Sequence, residues 1–176
     1  MKLNYWKLAA TAFLGWYFIR YAVGDPTHTL ANWNFVDNVD LVIHEAGHLI
    51  FIFFGDFMHV LGGSLLQVLL PTIFAGYFFM RREWFSGSVV LFWVGENLIS
   101  VATYMGDAVV QQLPLLGGDA VIHDWNYLLT AMGLLKYTNG LSYLVYGIGF
   151  MVILAAVLLC LRFSIVEKPA RTASLT

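Results

Sequence analysis

The sequence predicts an all-α membrane protein of about five transmembrane helices, with a partly helical cap at the membrane surface between the fourth and fifth. Three observations lead there. Apolar residues make up 60% of the 176-residue chain and charged residues only 11%, more apolar than a soluble domain of this length can be while staying dissolved. The apolar residues fall into five runs, each near the ~20 residues that a spanning helix needs. Sixteen glycines and 16% aromatic residues agree, because glycine is tolerated in lipid-embedded helices and Trp and Tyr collect at the interfaces.

The first run covers residues 5–23. Lys2 and Lys7 with Ala22-Val23-Gly24 have the outline of a signal peptide. Arg20 and the aromatics Trp16, Tyr17 and Phe18 make a poor signal core, so the run reads as a retained helix. The second run, 36–57, is followed by a tight turn near Asp56 to Gly62 and by the third, 61–80. The basic corner Arg81-Arg82-Glu83 leads into the fourth, 85–106, and the fifth is 140–163. All belong to one polytopic domain, 1–176.

The connection 107–139 is unusually long. It holds Gln111, Gln112, Pro114, Gly117-Gly118-Asp119 and His123-Asp124-Trp125-Asn126, then an apolar piece, Tyr127 to Leu135, too short to span. A structureless loop of this length is uncommon in a compact protein unless it is functional, so it is expected to form the cap. With five crossings, the Arg81-Arg82 corner and the tail with Lys168 and Arg171 share one side. Positive residues favour the cytoplasm, which places the N-terminus and the cap outside and the C-terminus inside a cell membrane. The net charge of −2 gives no footprint for nucleic acid, and the single cysteine, Cys160, in an apolar run, is a small buried hydrophobe that can form no disulfide within the chain.

The second run carries His44-Glu45-Ala46-Gly47-His48. Four residues apart on a helix, the two imidazoles lie on one face and can share a metal. Glu45 lies about 100° around from His44; in the usual role of this spacing the glutamate takes a proton from a zinc-activated water and passes it to the leaving group. In a soluble protein the pattern is only moderately specific. Here Leu41-Val42-Ile43 and Leu49-Ile50-Phe51 flank it, and a charge in hydrocarbon costs ~2.5–3.5 kcal/mol on insertion scales. A metal offsets that cost; the bland alternative is a polar cluster tying helices together.

A catalytic zinc needs a third protein ligand and an open position. Asp107, where the fourth helix ends, and His123, in the cap, are the two candidates. His123 could otherwise orient a ligand or bind the transition-state oxyanion. Asp124 beside it could orient a ligand, touch substrate or cap the short apolar helix. Gln67, ahead of Pro71, and Asn97, beside Glu96, read first as amides bonding a neighbouring helix and second as substrate contacts. His28 and His59 read as structural residues in exposed turns. Gly62-Gly63-Ser64 could offer open backbone to an extended peptide.

These residues resemble the site-two protease group of intramembrane zinc metalloproteases. The resemblance covers about residues 36–110: HExxH on a membrane helix, a turn, another helix, then a helix with Asn97 and Asp107. It implies His44, His48 and Asp107 as zinc ligands and Glu45 as the base. Asp107 is preceded by Met105-Gly106 and followed by Ala108, where the family has a proline-rich approach and Asp followed by Gly-Gly. The segment Gly118 to Asn126 has no counterpart in the family, which suggests an outlying branch whose ligand set could include His123. The expected activity is a zinc-dependent hydrolase, foremost a peptidase acting on a peptide or membrane protein within or near the bilayer, with membrane lipids as its surroundings. A lipid amide or ester hydrolase and a non-catalytic metal-binding scaffold are the competing expectations.

Overall fold

The computed structural model describes residues 2–23, 35–113 and 122–166. They form helices α1 (Tyr5–Tyr21), α2 (Phe35–Phe51), α3 (Asp56–Met80), α4 (Trp84–Gly106), α5 (Asp124–Ala131) and α6 (Thr138–Phe163). Single 3-10 turns cover Ile52–Phe54 and Leu135–Tyr137. Two two-residue strands, β1 (Lys2–Leu3) and β2 (Ile165–Val166), pair antiparallel.

Three helical segments are long and apolar enough to cross a membrane: Asp56–Met80, Trp84–Gly106 and Leu135–Phe163. Their outer faces carry exposed large side chains such as Phe74, Leu144, Met151 and Leu158. Such faces are compatible with a location in lipid. A helix stands in each of the five expected runs, but among the described residues only these three have the length and apolarity of a span; α1 and α2 are 17 residues each. The second ends early because a 3-10 turn and Gly55, at φ 88°, stop it. Only glycine adopts that backbone without strain. The expected turn at 56–62 is therefore helical, since α3 starts at Asp56.

Helix α4 is the axis of the bundle. Gly95 of α4 and Gly149 of α6 face each other so closely that a Cβ on Gly95 would lie 2.8 Å from Gly149 O. Small residues of this kind let membrane helices approach. The pair runs antiparallel, with Trp84 stacked on Phe163 at one end and Ser142 Oγ donating to Ala102 O at the other. Phe18, Phe92, Ile99, Ile153, Ala156 and Cys160 fill the core between α1, α4 and α6.

Helices α1 and α2 both run parallel to α4, one after the other along its length. Lys7 lies over Phe85 and Phe18 stacks on Phe92, so α1 covers the first half of α4. Asp40 accepts from Trp93 Nε1 and the His44 ring meets Tyr104, so α2 covers the second half. Tyr21 OH, at the end of α1, donates to Asp37 Oδ1 near the start of α2.

This arrangement brings the two ends of the described residues together. Residues 2–3 pair with 165–166, so the two ends of the described chain sit side by side, not on opposite faces as five successive crossings would require. The physical reason is that α1 and α2 share a direction.

Candidate metal centre

Every buried residue of α2, Asp37, Asp40, His44 and Gly47, falls on one face, at the spacing a helix gives to a single stripe. At its upper end α2 lies against α3. Gly47 and Gly62 make this possible, since a Cβ on Gly47 would collide with the Gly62 carbonyl and one on Gly62 would lie 2.7 Å from Gly47 O. Gly63 then sits beneath both imidazoles. A Cβ there would be 2.5 Å from His44 Nε2 and 2.7 Å from His48 Nε2. The segment Gly62-Gly63-Ser64 is thus buried helix against helix and offers no open edge to a peptide strand.

Both rings are held by the nitrogen that faces away from the centre. His44 Nδ1 is 3.0 Å from Gln67 Oε1, and Gln67 Nε2 donates to Ser100 Oγ at 3.2 Å. His48 Nδ1 is 2.9 Å from His59 O, while His59 Nδ1 is 2.8 Å from His48 O, so these two residues clamp each other. A carbonyl oxygen can only accept. His48 Nδ1, facing a backbone carbonyl, must therefore carry the hydrogen, and His44 Nδ1 carries it with the Gln67 amide oriented as it stands, so that each neutral ring presents the Nε2 lone pair.

Those two lone pairs meet a carboxylate. Asp124 Oδ2 lies 2.9 Å from His44 Nε2 and 3.2 Å from His48 Nε2, and ligand atoms of the three residues all fall within 4.8 Å of one another. Three electron-pair donors facing each other without a hydrogen between them repel. The arrangement is favourable with protonated rings or with a metal ion at the point of convergence. Two imidazoles and a carboxylate, with oriented rings, fit zinc.

Asp124 arrives from α5, which docks on α3 and α4. Trp125 Nε1 donates to Ser64 Oγ at 3.1 Å, Asn126 Nδ2 to Ala108 O at 2.8 Å and Asp124 N to Tyr104 OH at 3.2 Å. Val101, Met105, Ala108, Trp125, Leu128 and Leu129 close a second core around these bonds. Burial pushes the Asp124 carboxyl up, but the hydrogen bonds to His44 and His48 outweigh it and hold the group below the usual carboxylate range.

Neither residue expected as third ligand joins this group. Asp107 caps α4, and its two carboxylate oxygens accept from Gln112 N and Leu113 N, each at 2.9 Å. That carboxylate is committed to a turn. His123 is the N-cap of α5, with Nδ1 accepting from Asn126 N at 3.4 Å. Its Nε2 lies 3.3 Å from Asp107 Oδ2 but is not aligned for a hydrogen bond. Burial holds His123 below the usual imidazole value, against the pull of Asp107.

Glu45 points outward on the face of α2 that also carries exposed Val42 and Leu49, yet remains close enough to act on His48 and Tyr104 through its charge. Gln67 is bonded to His44, whereas Asn97 lies lower in the bundle beside Glu96 and Asp40. His59 is not a free surface residue but the partner of His48. His28 and Gly117-Gly118-Asp119 lie outside the described residues. Tyr104, which the sequence reading did not single out, belongs to a stripe on α4, Trp93, Asn97, Ser100, Tyr104 and Asp107, whose helical spacing marks one polar face.

Compared with protein-family models, curated proteins and solved structures, the chain matches none.

Proposed function

We propose that this chain is a membrane-embedded, zinc-dependent hydrolase, foremost a peptidase, whose ligands are His44, His48 and Asp124 and whose general base is Glu45. The observation that supports it is the convergence of two Nε2 lone pairs and one carboxylate oxygen while each Nδ1 is tied to an acceptor. A zinc ion held there would supply a water activated near neutral pH and a Lewis acid for a carbonyl oxygen. Glu45 takes the proton from that water on a carboxylate oxygen and delivers it to the leaving group. Tyr104 OH accepts from Asp124 N, so its own hydrogen is left to donate to developing negative charge on the substrate. Gln67 and the His59 carbonyl keep the rings in the ligating tautomer.

In this reading α3, α4 and α6 cross the bilayer, and α1 followed by α2 makes a fourth, broken path. Lys2, Lys7, Arg81, Arg82 and Arg162 then gather at one end of the bundle, which makes that end cytoplasmic and puts residues 2 and 166 there. The metal centre and α5 face the opposite side. Substrate reaches Glu45 laterally, along the exposed apolar face of α2. A lipid amide or ester is the second reading, favoured because Gly62-Gly63 offers no strand edge. The site-two protease resemblance supports the peptide reading through HExxH alone.

The test combines metal analysis with turnover. Purified protein is expected to hold about one zinc per chain, lost in His48→Ala, with cleavage of a membrane-peptide substrate abolished in Glu45→Gln while its zinc stays. Protein that takes up no zinc would sink the reading; zinc uptake with hydrolysis of lipid amides and not peptides would select the second.

A further inference from the structure

One helical turn before His44, on the same face of α2, a second polar group is buried that plays no part in the hydrolysis proposed above. Asp40 of α2 and Glu96 and Asn97 of α4 are 1%, 0% and 0% exposed. Asp40 is within hydrogen-bonding reach of Glu96 and Asn97, and Glu96 within reach of Asp37.

The donors supplied to this group are few. Trp93 Nε1 donates to Asp40 Oδ1 at 2.7 Å, Tyr21 OH to Asp37 Oδ1 at 3.1 Å, and Asn97 Nδ2 to Glu96 Oε2 at 3.2 Å and Trp93 O at 2.9 Å. Trp93 O can only accept, which fixes the orientation of the Asn97 amide. Asp40 Oδ2, Glu96 Oε1 and Asn97 Oδ1 are left buried without any partner. All three are acceptors. The largest influences on these two carboxyls from other side chains are Glu96, Trp93 and Asn97 on Asp40, and Asp40 and Asp37 on Glu96. Tyr17 and Tyr21 approach from α1.

We propose that Asp40, Glu96 and Asn97 form a binding site for a small monovalent cation, sodium foremost. Two carboxyl groups and an amide oxygen buried together are unfavourable in a low-dielectric interior when the carboxyls are ionised, and a cation bound among them would offset that charge and give Asn97 Oδ1 a partner. One shared proton satisfies at most two of the three oxygens. The oxygen-only donor set does not favour zinc or copper. Magnesium gives up its waters reluctantly, which disfavours it in a fully buried group. Each ligand belongs to α2 or α4, so an ion there ties the start of α2 to the middle of α4. None of the three residues belongs to the His44, His48 and Asp124 group, so the site stands whether or not that group binds zinc.

The experiment is thermal unfolding of the full chain in detergent at mildly alkaline pH, in sodium, lithium, potassium or choline chloride at one ionic strength. A ligand that binds only the folded state raises the melting temperature as its concentration rises. Sodium and lithium are expected to raise it saturably, by several degrees over choline, and potassium much less. The shift should survive a zinc chelator and vanish in Glu96→Gln and Asn97→Leu. Equal melting in sodium and choline overturns the proposal and leaves the group to protons; so does a sodium shift that Asn97→Leu preserves. Should the variants not fold, binding of radioactive sodium to the wild type decides: saturable binding displaced by lithium and not by potassium supports the site, and none overturns it.

Discussion

Two polar groups lie a turn apart on one face of α2, and they solve the problem of burial in opposite ways. Around His44, His48 and Asp124 the outward-facing nitrogens are tied to Gln67 and His59, so what remains is a set of lone pairs aimed at one point. Around Asp40, Glu96 and Asn97 the donors run out and oxygens are left over. An imidazole nitrogen offers one lone pair in the plane of its ring, whereas a carboxyl or amide oxygen offers two and accepts over a broad range of directions. The upper group is therefore oriented by its surroundings and suited to a directional metal, whereas the lower one suits an ion without directional demands.

The sharpest way to break this comparison is to remove the carboxylates in turn. Asp124→Ala should lose zinc almost completely, with an affinity loss well beyond tenfold, and Asp107→Ala should keep it within a few-fold. Metal analysis of both variants checks this, and the reverse pattern would restore the assignment that the family resemblance implies. The next effect is steric. Gly63→Ala forces a methyl group against both imidazoles, and overpacking of this kind costs about 1–3 kcal/mol; thermal unfolding should show the loss together with a tenfold or greater drop in zinc affinity. The smallest effect tests orientation alone. Gln67→Leu leaves all three ligands in place, so zinc should still bind but about 10–100-fold more weakly, the usual cost of losing such a partner. Unchanged affinity in that variant would mean the rings are held by packing and not by their Nδ1 bonds.

The helices were legible in the sequence because apolar composition and helical spacing are local properties, and His44 and His48 were legible because four residues always place two side chains on one face. Asp124 was legible only as a neighbour of the centre. Its approach depends on the docking of α5 through Trp125 to Ser64, a contact between residues 61 apart, which no periodicity reports. Asp107 looked the better ligand because it ends α4 at the right height. The turn at Gln111 to Leu113, with Gln111 at φ 53°, uses both of its oxygens. The serial placement of α1 and α2 was hidden too, since the run 36–57 reads as one long helix unless the stop at Gly55 is given its full weight.

Asp124 and His44 stand 80 residues apart in the chain, and on the proposed reading a metal ion cross-links them. Such a clip closes a long loop, and the entropy removed from the unfolded chain grows with the logarithm of loop length. Zinc would then act on folding as well as on chemistry, since metal binding free energy becomes folding free energy when the site exists only in the folded chain. The docking of α5 would be cooperative with metal uptake, and zinc depletion would loosen this short helix before it disturbs the bundle beneath.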